Sequence, residues 1–170
     1  RLSGFEADDL IGTIAKKADQ EGFETYMVTT DKDFAQLVTD NTYLYRLSTR
    51  NDTEEIMGIG QIQEKWDVQR ADQVIDILSL WGDTSDNIPG VTGIGEKTAQ
   101  KLLAQFDTVE NLLQSTDQLK GKQRENLENE AEIALLSKQL ATIDRNVPLD
   151  FNLEDMRRQS PNMENLKQIF

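Results

Sequence analysis

The chain has 170 residues, 37% hydrophobic and 29% charged, which suits one domain or a domain with a small subdomain. A mean hydropathy of -0.58, with no apolar run near the ~20 residues of a membrane helix, excludes a helical membrane span. With no Cys and no His, disulfide frameworks, Cys/His zinc sites, Cys nucleophiles and His-based triads are excluded as well. Carboxylates, lysines, hydroxyls and metal-activated water are left to carry any catalysis.

The opening residues Arg1-Leu2-Ser3-Gly4-Phe5 lack the apolar core of a signal peptide, so the cytoplasm is the expected compartment. The first residue is not Met, which fits an internal fragment. A net charge of -13 argues against nucleic-acid binding at first sight. Its distribution is uneven. Residues 1–86 carry 8 basic and 18 acidic side chains, whereas residues 87–170 carry 10 and 13. Seven of the N-terminal acids fall in three tight clusters, and bound divalent cations would neutralise part of that charge.

In chain order, Ala7, Leu10, Ile11, Ile14 and Ala18 recur at helical spacing and predict a helix over 6–20, ended by Gly22. Thr25, Tyr26, Val28, Thr29 and Thr30 predict a strand over 24–30. A short helix is expected over 33–38 and a second strand over 42–47. This alternation is the rhythm of an α/β sheet. Two strands are too few for a stable open sheet, so further strands are expected from sequence upstream, or else the helices carry the fold. From Ile59 on, the pattern is helical: 61–66, 70–81, 96–106, 108–114 and one long helix over 122–143. Val147-Pro148-Leu149 resembles a domain end, and polar residues 152–170, with Pro161, read as a linker.

Three acidic clusters could carry chemistry. Glu6, Asp8 and Asp9 sit at a helix start, where acids are also favoured by the helix dipole alone. Asp31 and Asp33 follow a predicted strand, the end of an α/β sheet where ligands bind, though Asp also makes turns and caps. Asp83 and Asp86 are three residues apart, so one turn could aim both the same way; loop solvation and capping are the plain alternative. Jointly these seven carboxylates are more telling, because charges this dense repel unless they face solvent or share cations. Oxygen-only ligands suit magnesium or manganese, and two such ions about 4 Å apart can activate a water and stabilise a leaving oxygen.

The sharpest motif is Val91-Thr92-Gly93-Ile94-Gly95 running into Glu96-Lys97-Thr98-Ala99-Gln100-Lys101. Gly93 and Gly95 permit a tight turn and close approach of backbone to phosphate. Free N–H groups at the helix start would face that phosphate, and Lys97 and Lys101, one turn apart, could track a nucleic-acid backbone. It is no dinucleotide fingerprint, since Gly-Ile-Gly follows no strand. An ordinary helix–loop–helix corner is the plain alternative.

Taken together, Glu6-Ala7-Asp8-Asp9, Thr30-Asp31-Lys32-Asp33 and Gly82-Asp83-Thr84-Ser85-Asp86-Asn87-Ile88-Pro89-Gly90-Val91 leading into Gly93-Ile94-Gly95-Glu96-Lys97-Thr98-Ala99 resemble the 5′-nuclease (flap endonuclease) family. More closely, they resemble the 5′→3′ exonuclease domains of bacterial polymerases. The resemblance covers nearly all of residues 2–151. It implies a partial resolvase-like (Rossmann-like) parallel sheet with helices, then an all-helical helix-three-turn-helix (helix-hairpin-helix-type) subdomain. The implied division is 1–80 for the α/β core, 81–151 for the helical DNA-binding subdomain and 152–170 for a linker toward polymerase domains in the same parent chain.

By this resemblance Glu6, Asp8, Asp9, Asp31, Asp33, Asp83 and Asp86 serve a site for two Mg2+ or Mn2+ ions, directly or through water. Glu6, Asp31, Asp33 and Asp86 would surround the second metal and Asp8 would face the first. Gly93, Ile94, Gly95, Lys97, Thr98 and Lys101 would grip duplex DNA, with a K+ ion held by hairpin carbonyls. The implied reaction is metal-assisted phosphodiester hydrolysis at 5′ flaps, nicks and RNA primers. In the family a strand bearing an aspartate, a second aspartate and a basic helical arch precede the Glu-Ala-Asp-Asp motif. The 170 residues by themselves are therefore expected to hold part of the metal site and to cleave weakly or not at all. The competing expectation is a non-catalytic duplex-DNA-binding module built on the hairpin; a third is an acidic helical protein that binds no DNA.

Overall fold

The helical periodicity near the start is realised as α1 (Ala7–Gln20) in the computed structural model, which describes residues 2–48 and 53–169. The buried face of α1 is made of small residues, Gly12, Ala15 and Ala18, so its neighbours come close. A Cβ on Gly12 would stand 2.9 Å from Ile143 Cγ2.

β1 (Thr25–Val28) and β2 (Thr42–Ser48) pair in parallel, as the α/β rhythm implies. Tyr26 stacks on its register partner Tyr43 with ring centroids 5.3 Å apart. A third strand, β3 (Thr53–Met57), pairs antiparallel with β2. Its sequence, Thr-Glu-Glu-Ile-Met, carries weak strand propensity, and it forms because β2 offers it a register. Met27, Leu44 and Met57 line up across the three strands and are all buried. Glu54 and Glu55 face solvent, as charges on an edge strand commonly do. Between β1 and β2 the expected short helix is a 3₁₀ helix (Asp33–Leu37), buried at all five residues.

The helical part begins with α2 (Ile59–Trp66) and α3 (Gln73–Trp81). Val74, Ile77, Leu78 and Leu80 of α3 are fully buried, so this helix is the axis of the core. It packs against α4 (Glu96–Phe106), against the 3₁₀ helix and, most extensively, against α7 (Ala131–Ala141). α5 (Val109–Gln114) is capped by the Thr108 side chain, which accepts from Asn111 N. A buried charge joins three of these helices: Asp76 accepts from Lys138 Nζ at 2.7 Å and from Val109 N at 3.0 Å. Lys138 also reaches Glu110 at 2.7 Å.

The single helix expected over 122–143 is two, α6 (Gly121–Asn129) and α7. The chain breaks at Glu130, with φ -113° and ψ 21°. The break is held from outside. Glu130 Oε2 accepts from Thr92 N at 2.7 Å, and Asn126 Nδ2 donates to Thr92 O at 2.7 Å. Periodicity within one segment carries no trace of such distant partners. α7 therefore buries its small residues Ala134, Ser137 and Ala141 and leaves Leu135, Leu136 and Leu140 exposed.

Past α7 the chain runs back over α1 as an extended strap. Val147 N donates to Thr13 Oγ1 at 3.0 Å, and Lys16 Nζ donates to Asn146 Oδ1 at 2.6 Å. Lys17 Nζ donates to Phe151 O at 2.8 Å. Residues 152–170, read as a linker, contain a 3₁₀ turn (Leu153–Met156) and α8 (Met163–Ile169), neither with a buried residue. No helix among the described residues is long and apolar enough to cross a membrane.

Candidate metal centre and nucleic-acid hairpin

The three acidic clusters lie up to 80 positions apart in sequence, and the fold brings them to one place. Glu6, Asp8, Asp9, Asp31, Asp33 and Asp86 line a single cavity of about 440 Å3. Its other wall is the end of α7 and the start of the strap, Gln139 to Ile143. Asp83 lies beside this cavity, and Asp33, Asp83 and Asp86 each offer a carboxylate oxygen within 4.8 Å of the others.

Local chemistry aims each side chain. Asp31 and Asp33 occupy a turn after β1, in which Asp31 Oδ1 accepts from Asp33 N at 3.0 Å. Asp33 then opens the 3₁₀ helix and is buried, and its Oδ1 has no hydrogen-bond partner among the described residues. Asp83 and Asp86 are presented by a tight loop closed by reciprocal bonds, Asp83 N to Ile88 O at 2.9 Å and Ile88 N to Asp83 O at 2.7 Å. Two glycines let that loop close against the end of α3. Gly90, at φ +63°, lies so near Gly82 that a Cβ on it would stand 2.5 Å from Gly82 N.

The seven acids are not equivalent. Asp9 spends both oxygens on backbone donors: Oδ2 takes Glu6 N at 3.1 Å and Oδ1 takes Asp144 N at 2.8 Å. It is the clamp between the α1 start and the strap. Asp83 is buried and engaged too, through Ser85 N at 3.0 Å, Ser85 Oγ at 2.5 Å and an ion pair with Lys32 Nζ. Glu6, Asp8, Asp31 and Asp86 border the cavity with carboxylates less spoken for.

Titration follows these surroundings. Burial and then the Asp31 charge push Asp33 up to about 6. Burial first, then Asp31, Glu6, Asp9 and Asp86, raises Asp8. Burial and the neighbouring Asp83 raise Asp86. Asp83 goes the other way: burial opposes its ionisation, but Lys32 and the Ser85 bonds outweigh it and hold the carboxyl down to about 2. Burial would lower Lys32, yet the Asp83 bond and charge raise it.

Lys32 and Ser85 are the residues that motif reading passes over. Their signal was present, a lysine between two aspartates and a serine two residues past a third, but neither names its partner. The strap wall had no sequence signal at all.

A buried acid with one orphaned oxygen, clustered with Asp83 and Asp86, is the arrangement that a hard cation relieves. The donor set is oxygen only, as such ions prefer. Among the described residues, those present therefore fit a divalent cation.

The hairpin forms where expected. Gly93 takes φ +78°, and Gly95 caps α4, its carbonyl accepting from Thr98 N at 2.9 Å and Ala99 N at 3.0 Å. Gly95 itself is extended, with open space where a Cβ would stand. Lys97 and Lys101 are exposed one turn apart, with Thr98 half-buried beside them. Ile94 faces inward. Its side chain is buried in the core and its N–H donates to Val91 O at 3.1 Å, so it anchors the turn from beneath.

The chain thus joins a small sheet with an acid-lined cavity to a helical part bearing a glycine hairpin. Two models of one family match it in sequence. The 5′-3′ exonuclease N-terminal resolvase-like domain matches residues 1–67, and the 5′-3′ exonuclease C-terminal SAM fold matches residues 69–164. The chain belongs to the 5′-3′ exonuclease family.

Among curated relatives it is 44% identical over 171 residues to DNA polymerase I of Bacillus caldotenax, a match that covers 99% of this chain and 19% of that polymerase. It is 40% identical over 166 residues to the thermostable DNA polymerase I of Thermus thermophilus, covering 98% of this chain and 19% of that polymerase. The chain thus spans about a fifth of the length of these relatives.

Among solved structures it resembles the T5 5′-exonuclease with bound divalent metal ions (zinc), at TM-score 0.73 and 28% identity over 84% of this chain and 52% of the other. It also resembles a bacteriophage T5 D15 flap endonuclease variant in complex with DNA and metal ions, at TM-score 0.69 and 26% identity over 85% and 51% of the two chains. The catalytic core of Rad2 shares the fold at TM-score 0.54 and 16% identity, over 91% of this chain and 56% of that one.

Proposed function

We propose that this chain is the metal-dependent 5′→3′ exonuclease and flap endonuclease module of a longer, DNA polymerase I-like protein. The observation that carries the reading is Asp33, which keeps one carboxylate oxygen buried without a donor among the described residues and stands in a trio with Asp83 and Asp86 whose carboxylate oxygens come within 4.8 Å of one another. Asp33 and Asp86 would hold one Mg2+ or Mn2+ ion, Glu6, Asp8 and Asp31 would border it directly or through water, and Asp83, paired with Lys32, would stand beside it. Bound divalent cations supply activation of water and stabilisation of the departing oxygen.

The chain's own residues account for the rest. Asp9 holds the α1 start against the strap. Lys32 balances Asp83, so this acid stays ionised beside the cation. The hairpin, Lys97, Thr98 and Lys101 would bind the sugar-phosphate backbone of a duplex, which carries no sequence preference. A K+ ion at the hairpin would use carbonyls of residues 91–95. The substrates that fit are duplexes with a 5′ flap, a nick or an RNA primer, in the cytoplasm, with polymerase domains as partners in the parent chain.

Two binding measurements test this without relying on turnover. Calorimetric titration with Mn2+ should give binding that Asp33→Asn abolishes. Anisotropy with a labelled 5′-flap duplex should give salt-sensitive binding, and Lys97→Glu with Lys101→Glu should weaken it by about tenfold or more near physiological salt. Absence of Mn2+ binding by the parent chain would overturn the metal reading. Duplex binding that survives the double charge reversal would overturn the hairpin reading. Duplex binding without any metal binding would leave the non-catalytic module.

A further inference from the structure

We infer that Gln36 is a positioning residue for the acid cavity: it holds the far wall in place and thereby sets how tightly the cavity binds a divalent cation. This rests on the reading of the cavity as a metal site. Gln36 is buried in the 3₁₀ helix that Asp33 opens. Its Nε2 donates to Ala141 O at 2.9 Å, and its Oε1 accepts from Ile143 N at 3.0 Å. One side-chain amide thus pairs with the strap backbone as a strand residue would. Among the described residues these are the only side-chain hydrogen bonds from 31–37 to the strap.

Geometry makes the link direct. A 3₁₀ helix has three residues per turn, so positions i and i+3 eclipse one another. Asp33 and Gln36 therefore share one face of the same turn. The face that aims Asp33 at the other carboxylates also aims Gln36 at the strap. Ala141 and Ile143, its two partners, line the cavity together with the acids. The strap is fixed to the α1 start as well, by Asp144 N on Asp9. Gln36 closes this frame on the side of Asp33. Without it the Ala141 carbonyl, left unpaired as α7 ends, would seek water, and the wall and Asp33 would lose their common reference.

The test uses Mn2+ binding to the 170-residue chain. Gln36→Met keeps the side-chain length and removes both bonds. Gln73→Met is the matched control. Gln73 is equally buried, accepts from Gln69 N at 2.8 Å and Arg70 N at 3.2 Å, donates to Asp107 O at 2.9 Å, and is absent from the cavity lining. Gln36→Met should weaken Mn2+ binding by about tenfold, the scale for residues that orient metal ligands. Gln73→Met should lower the melting temperature as much and leave the Mn2+ affinity unchanged. Amide exchange at Ile143 should quicken in the first variant only. Should Gln36→Met not fold, Gln36→Asn, one methylene shorter, carries the same test and should weaken binding by a few-fold. Parent-like Mn2+ affinity in the Gln36 variant, or equal weakening in the Gln73 control, would overturn the inference while leaving the metal site standing. A parent chain that binds no Mn2+ would overturn both.

Discussion

Replacing Asp33 by Asn should make the metal-free protein more stable while removing its response to metal. In the folded chain Asp33 holds its proton up to about pH 6, against an ordinary value of 3.8. The folded state therefore binds more protons than the unfolded one between those limits. The contribution of Asp33 to the stability of the metal-free parent then falls as pH rises from about 4 to about 6, and levels off above. At ~1.4 kcal/mol per pKa unit the gap amounts to about 3 kcal/mol, a ceiling because the surroundings can relax. Asn keeps the shape and removes the charge, so a gain of about 1–3 kcal/mol near neutral pH is expected. For a chain of this size that is a rise of about 3–10 °C in Tm.

The assay is thermal melting in EDTA at about pH 5 and about pH 7.5, repeated with Mg2+. The parent should melt higher at the lower pH, and Asp33→Asn should lose most of that difference. Asp8 and Asp86, raised in the same direction, would keep a residue of it. Mg2+ should raise the Tm of the parent near neutral pH and leave the variant unmoved. A variant that melts below the parent at the higher pH in EDTA would refute the reasoning, because Asp33 would then be stabilising.

Two further outcomes concern the same site and a third concerns the helical core. Lys32→Met strips the buried Asp83 of its cation and should destabilise the metal-free chain by about 1–3 kcal/mol in urea titrations, with Mg2+ restoring part of the loss. Since Asp83 is held down to about 2, its contribution is fully present above about pH 4 and is lost as pH falls from there to about 2, so the loss caused by Lys32→Met should shrink under acid. Gly90→Ala forces a side chain into a left-handed residue and against Gly82 N, and should cost at least about 2 kcal/mol while weakening Mn2+ binding, because the loop bearing Asp83 and Asp86 must shift. Asp76→Ala leaves Lys138 and Val109 N without their buried partner and should cost about 3–5 kcal/mol, by loosening α3 from α5 and α7.

Much of this protein is written locally. The spacing of Leu10, Ile14 and Ala18 specifies α1, because a helix needs only its own period and a face to bury. Thr25 to Val28 and Thr42 to Leu47 specify two strands by β-branched and aromatic content. Gly93 and Gly95 mark the hairpin and the start of α4, since turn chemistry is a matter of a few adjacent residues. The acidic clusters were also legible, because the carboxylates stand in short motifs.

Other features depend on partners far along the chain. β3 exists because β2 lends register to a segment with little strand character of its own. The break at Glu130 is held by Thr92, 38 positions away. Sequence motifs treat Asp9, Asp33, Asp83 and Asp86 alike, yet tertiary contacts give them opposite tasks. Asp9 is consumed by Asp144, Asp83 by Lys32, and Asp33 is buried with a bare oxygen. Gln36 meets the strap across 105 positions. A residue's type and local period determine what its backbone does and which face it prefers. Which charge finds a partner, and which is left open to a cation, is decided only when distant segments close on one another in a medium where an unpaired charge is costly.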